Sequence, residues 1–263
     1  MQCIVCSQSM EHFFNKRFDS DSLDTVEYYR CAGCGFSASK THLEMPETDW
    51  IRLNTSWHNS NNLRVDNPWN RSQRHFNQAL MIHLLHRHEV IHNGSWLDYA
   101  SGQGGLSHQL HSHFGLVLHS FDEFVQPMSF PLSAPDLVKR GQVLVTNTAM
   151  FEHVRNRRTL DEIESYVAED GCFGIHTLVR GDIPADPEWM YLLPVHCAFF
   201  TNRSMDILMQ QWGYTCSIYN EHAKMWVWFK TDPGLISEKV AQLNQAMGWE
   251  YLRFKVGFVD FWP

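Results

Sequence analysis

The sequence predicts an α/β fold with a mostly parallel sheet, and three observations predict it. LDYASGQGGLSHQL, residues 97–110, runs from an apolar strand-like stretch through an acidic residue and glycines into a helical pattern. Strand-like and helix-like segments then alternate, ending in two strands, YTCSIYN and KMWVWFK, separated by a short turn. The N-terminal segment as far as Cys34 holds two C-x2-C pairs. Alternation implies a Rossmann-like, mostly parallel sheet covered by helices, and the short final turn an antiparallel closing hairpin. The cysteine pairs imply a small N-terminal zinc ribbon. The expected organisation is a ribbon over residues 1–45, a connector over 46–72 and the Rossmann-like domain over 73–263, ending in an aromatic tail.

In the ribbon, a strand-bearing stretch separates Cys3 and Cys6 from Cys31 and Cys34. Four thiolates at that spacing can surround one tetrahedral zinc from two tight knuckles, closing its coordination shell, so the expected site is structural rather than catalytic. HFFNKRF and VEYYR read as two supporting strands, and Gly33 and Gly35 as the residues that let the second knuckle turn. Cys172, Cys197 and Cys216 sit in apolar contexts and read as buried small hydrophobes. The connector, Asn-rich with two prolines, reads as extended loop, with Trp50, Trp57 and Trp69 packing on the neighbouring domain or walling a cleft. RHFNQALMIHLLHRHEVI then reads as a helix capped by Ser72. SWLDYA, LVLHSF, QVLVTNT and CFGIHTLV read as successive strands, with GLSHQLHSHF, RTLDEIESYVA and SMDILMQQW as helices and Glu169-Asp170-Gly171 as a turn.

Ligands of such sheets sit at the carboxyl ends of the strands. Gly102 and Gly104 let the backbone approach a ligand there. Asp122 ends the second strand, at about the spacing from Asp98 at which a carboxylate takes ribose hydroxyl protons. A dinucleotide fingerprint needs glycine at 107, which is Ser107. Asp98 suits a cationic sulfonium better than a pyrophosphate, so the turn favours S-adenosylmethionine (SAM) over NAD.

Asp98-Tyr-Ala-Ser-Gly102-Gln-Gly104 resembles the D-x-G-x-G-x-G motif of class I SAM-dependent methyltransferases. The resemblance extends through Asp122, MFEHV, AEDGCFGIHT and the hairpin, about residues 70–230. PVHCAFFTNRSMDILMQQWGY is similar to a segment of methyltransferases in bacterial sugar and polysaccharide pathways, some of which carry an N-terminal four-Cys zinc module. The resemblance implies SAM binding by Asp98, Ala100, Gly102, Gly104, Asp122 and Asn147, with Glu152 and His153 where those enzymes place a catalytic Glu-His pair. His196 is a second base or substrate-binding candidate. Ala100 stands where the motif has its first glycine. The segment from Asp122 to Asn147 is short for the family, so the family's third strand is expected to be missing or vestigial.

The implied function is methyl transfer to a sugar, nucleotide-sugar or glycan acceptor with a Glu/His base. The alternatives are a catalytically degenerate binding or assembly protein, or a zinc-ribbon RNA methyltransferase. A net charge of −8, with four Lys/Arg against six Asp/Glu in residues 1–45, argues against a nucleic-acid partner. No apolar run reaches the length of a membrane span, and the N-terminal residues lack a secretory pattern, so a cytoplasmic protein with a small-molecule or glycan substrate is expected; the oligomeric state is not legible. The histidines of HLLHRH and HQLHSH (His83, His86, His88, His108, His111, His113) read as solvated helix faces rather than metal ligands. The aromatic tail, with Trp249, Tyr251, Phe254, Phe258, Phe261 and Trp262, is too apolar to remain in water, and is expected on the sheet, over the ribbon or at a subunit contact.

Overall fold

The computed structural model describes residues 1–20, 23–63 and 68–260, without the side chains of 19–20, 59–63 and 68–71. Seven strands form the main sheet: β4 (Trp96–Tyr99), β5 (His119–Phe121), β6 (Gln142–Thr148), β7 (Val167–His176), β10 (Cys216–Asn220), β11 (Met225–Phe229) and β12 (Arg253–Val256). Their order is β12-β10-β11-β7-β6-β4-β5. β5, β4, β6 and β7 run parallel, while β11, β10 and β12 continue antiparallel. The predicted Rossmann-like sheet with its closing hairpin is therefore present.

Two apolar cores lie on the two faces of this sheet. α5 (Arg157–Glu164) and α6 (Asn202–Gln211) send Leu160, Ile163, Met205 and Leu208 into one. α3 (Pro68–Arg87), α4 (Gly105–Phe114) and α7 (Pro233–Met247) send Ile82, Leu85, Leu106, Leu110, Ile236 and Leu243 into the other. β11 is buried along its whole length, with Trp226 and Trp228 facing the first core and Met225, Val227 and Phe229 the second. The helix ends follow local chemistry. Asn156 caps α5 through Thr159 N–H at 3.0 Å, and Thr201 and Ser204 cap α6 reciprocally.

The second sheet has the order β1-β2-β3-β9-β8. β1 (Met10–Ser20), β2 (Leu23–Cys31) and β3 (Ser37–Ser39) come from the N-terminal segment; β8 (Val179–Arg180) and β9 (Ala198–Thr201) come from well beyond it. β3 pairs antiparallel with β9, Ser37 opposite Phe199 and Ala38 opposite Ala198. The N-terminal segment is thereby joined to the rest of the chain through backbone hydrogen bonds. α1 (Lys40–Glu44) follows β3, with buried His42 on it.

Several expectations give way. Residues 46–72 are not extended loop: α2 spans Glu47–Leu63, and α3 begins at Pro68, placing Ser72 inside the helix rather than at its cap. Proline at the first helical position costs no hydrogen bond, which hides a helix start from a reading that treats proline as a breaker. Glu169-Asp170-Gly171 does not end a segment; it forms an irregularity within β7, where the pairing jumps from Gln142↔Val167 to Leu144↔Cys172. No third parallel strand stands beyond β5 among the described residues. One bridge, Ser120 to Pro131, takes its place, with Ser120 N–H donating to Phe130 O and Leu132 N–H to Ser120 O. The tail packs on the main sheet: β12 extends it, Tyr251 and Phe258 are buried, Phe254 is half-buried and Trp249 is exposed. Trp226 Nε1–H donates to Val259 O at 2.8 Å, and Ser217 Oγ–H to Gly257 O at 2.8 Å. Phe261 and Trp262 lie outside the described residues, as does the side chain of Trp69. The α4 histidines are largely solvated as expected, but His83 stacks on Phe114 at 4.4 Å and His86 meets Trp96 edge-on, so the α3 histidines are partly core.

Glu164 is the one buried carboxylate of α5, and its Oε1 receives Lys230 at 2.7 Å, Arg140 at 3.0 Å and the Tyr214 hydroxyl at 3.4 Å. Removing the carboxylate leaves the largely enclosed Lys230 ammonium without its partner, although Arg140 reaches solvent. Glu164→Ala is therefore expected to destabilise the protein by about 3 kcal/mol in urea unfolding.

Candidate functional site

The glycine-rich turn follows β4. Ala100, Gly102 and Gly104 all take left-handed backbone conformations, with φ of 58°, 56° and 78°. Ala100 thus occupies a position that favours glycine, at a steric cost of about 1 kcal/mol. Gly104 is the N-cap of α4 and no side chain caps the helix, so its first N–H groups remain available. A Cβ on Gly102 would meet nothing within 4 Å; one on Gly104 would approach Ser120 Oγ at 3.3 Å and Ser129 N at 3.5 Å. The space above Gly102 is not filled by the protein's own side chains.

Asp122 faces this turn. Its Oδ2 accepts from Gly102 N–H at 2.8 Å, and its Oδ1 from Phe124 and Val125 N–H at 2.9 Å each. The carboxylate closes its own loop while holding the turn, with Oδ2 keeping a second lone pair. Asp98, fully buried at the end of β4, accepts from Thr146 Oγ1–H at 2.7 Å. Burial pushes its carboxyl up to about 7 despite that hydrogen bond, and nearby Asp122 adds to the rise. Asn147, at the end of β6, donates from Nδ2 to Tyr99 O at 2.9 Å, while its Oδ1 is buried without a partner. Ser101 Oγ in the turn is likewise buried and unpaired. Buried polar atoms are rarely left so, and these two line one end of the sheet.

A second polar group gathers after β6 and β7. The turn Phe151–His153 carries Glu152 and His153, and the strand β9 is preceded by His196. Glu152 is buried; its Oε2 accepts from Thr177 Oγ1–H and its Oε1 from Tyr191 O–H, both at 2.9 Å. Two hydroxyl donors favour the ionised carboxylate. His196 Nδ1–H donates to Tyr191 O at 2.8 Å, which leaves Nε2 with the lone pair. The His153 and His196 rings meet edge-on at 5.0 Å, and the exposed His58 of α2 lies 5.7 Å from His153. Burial lowers both His153, to about 3, and His196 below the ordinary range, so both are neutral at pH 7. His176, at the end of β7, donates from Nδ1 to Lys224 O at 2.6 Å and is lowered to about 4 by burial and by Arg74. Glu152, His153 and His196, each marked in the sequence, are brought together by the fold. Thr177, Tyr191 and His176 join them unmarked; Tyr191 shortly precedes His196, at a spacing with no motif to mark it.

The four ribbon cysteines also converge, with Sγ atoms 3.4–3.6 Å apart for the Cys3–Cys34, Cys6–Cys31 and Cys6–Cys34 pairs. That is too long for a disulfide and close to the roughly 3.8 Å separation of sulfurs on a tetrahedral zinc with bonds of about 2.3 Å. The two knuckles repeat one geometry. Ser7 N–H donates to Cys3 O and Gly35 N–H to Cys31 O, and Cys3 and Cys31 N–H close the loops onto Gln8 O and Phe36 O. Ser7 and Gly35 take φ of 62° and 74°. Gly33 matters differently from the expectation: it does not need a left-handed conformation, but a Cβ there would strike the Gln8 side chain. The ribbon is seated by Thr201 Oγ1–H on Cys34 O, by Gln211 and Arg157 on Val5 O, and by Arg155 on Leu43 O, with the Arg155 guanidinium also over the ring of Trp50 in α2 at 5.4 Å.

No protein-family model matches the chain, and no curated protein sequence matches it. Among solved structures it is similar to the plantazolicin methyltransferase BpumL in complex with a monoazolic desmethylPZN analogue and SAH, with a TM-score of 0.48 at 12% identity over 80% of this chain and 94% of that one. A SAM-dependent methyltransferase from Thermotoga maritima gives 0.43 at 14% over 64% and 97%, and DesVI of Streptomyces venezuelae 0.42 at 12% over 72% and 100%. At these values nothing about chemistry transfers from them. No helix among the described residues is long and apolar enough to cross a membrane.

Asp98 generates a pH prediction. The unfolded chain releases this proton near the ordinary aspartate value, while the fold keeps it to about pH 7. The native state therefore binds more protons in that window, and stability falls as pH rises through it. Urea unfolding at pH 5 and pH 7.5 is expected to show the wild type losing roughly 1–3 kcal/mol relative to Asp98→Asn.

Proposed function

We propose that the chain is a SAM-dependent methyltransferase acting on a small-molecule acceptor of the sugar, nucleotide-sugar or glycan class. The observation that carries this reading is the open glycine turn, with Asp122 bonded to Gly102 N–H and the orphaned Ser101 Oγ and Asn147 Oδ1 beside it. A SAM bound there would take hydrogen bonds from the uncapped start of α4 and donate one from a ribose hydroxyl to the free lone pair of Asp122 Oδ2. Its cationic end would lie toward Asp98. Asn147 and Ser101 would find partners in the donor's polar groups.

Methyl transfer from a sulfonium is an in-line displacement, so the protein's work is alignment and removal of the acceptor proton. In this reading His196 is the base. Its Nε2 lone pair is fixed by the Nδ1–H bond to Tyr191 O, and burial keeps the ring neutral until it takes a proton. The Glu152 carboxylate stabilises the imidazolium that results, and His153 lies beside both. Cys3, Cys6, Cys31 and Cys34 hold a structural zinc, whose closed shell serves the fold. A non-catalytic binding or assembly protein is the second reading. It is favoured by the single bridge at Pro131 in place of the strand and loop that the resembling family usually has there, and by the three backbone N–H groups already held by Asp122.

Titration calorimetry with SAM and S-adenosylhomocysteine decides between them. Binding of both is expected, and absence of both, in folded protein, rejects the methyltransferase. Asp122→Ala should lose that binding. Glu152→Gln and His196→Ala should retain it within a few-fold while turnover falls about 10²-fold or more. Native mass spectrometry is expected to find at least one zinc per chain, and Cys31→Ser to lose that ion together with several degrees of Tm.

A further inference from the structure

We propose that Glu152, His153 and His196 form a second metal site, for a divalent first-row transition ion bound by two imidazole nitrogens and one carboxylate oxygen. The site stands on the triad itself and is independent of whether the glycine turn holds a methyl donor.

Four observations carry it. The three donor atoms all lie within 4.8 Å of one another. Ligands sharing one ion at about 2.1 Å lie no more than about 4.2 Å apart, so a small inward turn of the rings brings the three donors onto one ion. His153 Nδ1 is buried with no hydrogen-bond partner, an imidazole nitrogen left open inside the protein. His196 donates Nδ1–H to a backbone carbonyl, and Glu152 is held by the Thr177 and Tyr191 hydroxyls with one lone pair left on each oxygen. That outer shell is what orients metal-bound imidazoles and carboxylates. Finally, among the described residues no lysine or arginine pairs with Glu152, although the carboxylate is buried. A buried carboxylate beside two imidazoles, with no lysine or arginine on it, is the setting in which a divalent ion supplies the countercharge.

The donor set selects the ion class. Two nitrogens and one oxygen suit Zn²⁺, Fe²⁺, Co²⁺ or Ni²⁺, whereas Mg²⁺ and Ca²⁺ prefer oxygen throughout. Three protein ligands leave at least one position open, unlike the closed thiolate cluster. With Nε2 of His196 on the ion that ring no longer serves as the base, and a hydroxyl oxygen entering the open position would instead be made more acidic by the ion; this consequence, unlike the site, rests on the methyl-transfer reading.

The test is a Co²⁺ titration of protein stripped by chelator under reductant, followed by Zn²⁺ competition and metal counting by mass spectrometry. Thiolate-bound Co²⁺ shows sulfur-to-metal charge transfer, while a nitrogen and oxygen site shows only ligand-field bands. Wild type is expected to bind two equivalents, one of each kind. His196→Gln, His153→Gln and Glu152→Gln should each bind one, keeping the charge-transfer band, which also reports that the variant is folded. Cys31→Ser should retain the ligand-field site. Wild type saturating at one thiolate-bound equivalent overturns the proposal, as do folded variants that keep both ions. The wild-type count decides the question even where a variant fails to fold, and calorimetry with SAM stays a separate readout.

Discussion

Two backbone hydrogen bonds at Cys197 tie the molecule together. Ser39 N–H donates to Cys197 O at 2.9 Å, and Cys197 N–H donates to Glu152 O at 2.8 Å. One residue thus links the last strand of the ribbon to the turn carrying the Glu-His pair. His42 adds a third tie, donating Nε2–H to Pro194 O at 2.9 Å while Nδ1 meets the Ser39 hydroxyl. Ser39, His42, Glu152 and Cys197 are all buried, so breaking any of these ties strands a polar atom at a cost of about 1–3 kcal/mol. The last strand of the ribbon is therefore fixed to the turn that carries Glu152 and His153. This is a physical role for the ribbon that needs no ligand of its own.

The glycine turn is built the opposite way, with conformational strain accepted for openness. Three left-handed residues in close succession, one of them an alanine, lift the chain clear of the strand end and leave Gly102 facing empty space. Asp122 offsets that strain by accepting three backbone N–H groups from the turn and its own loop. Beyond β5 the sheet is short. Residues 130–132 cover the strand edge with two hydrogen bonds, and Phe124 and Met128 stand mostly exposed, at 70% and 79%. This lightly built side adjoins the turn, whereas the Glu152 side is enclosed by β9 and the ribbon.

The buried titratable groups divide along the same line. Asp98 near the turn is pushed toward neutrality by burial. Around Glu152 the imidazoles are the neutral partners, and the carboxylate keeps its charge through two hydroxyl donors. One end of the sheet therefore presents a protonatable acid beneath an open turn and, beside it, an anionic pocket of nitrogen and oxygen donors.

Features that rest on local pattern and spacing are legible in the chain before it folds. The cysteine pairs, the glycine turn with Asp122, the alternation of strands and helices, the closing hairpin and the Glu152–His153 pair are all visible there, because each is specified by residues close in sequence. Residues 46–72 mislead, since their polar composition and prolines conceal two helices stabilised by contacts elsewhere, such as Trp50 against Arg155 and His42. Packing alone establishes that β3 pairs with β9, that Tyr191 and Thr177 grip Glu152, and that His196 joins His153. The partners in each case stand far apart along the chain, Ser37 and Phe199 farthest of all, and no periodicity encodes which distant backbone edge a three-residue strand will complete.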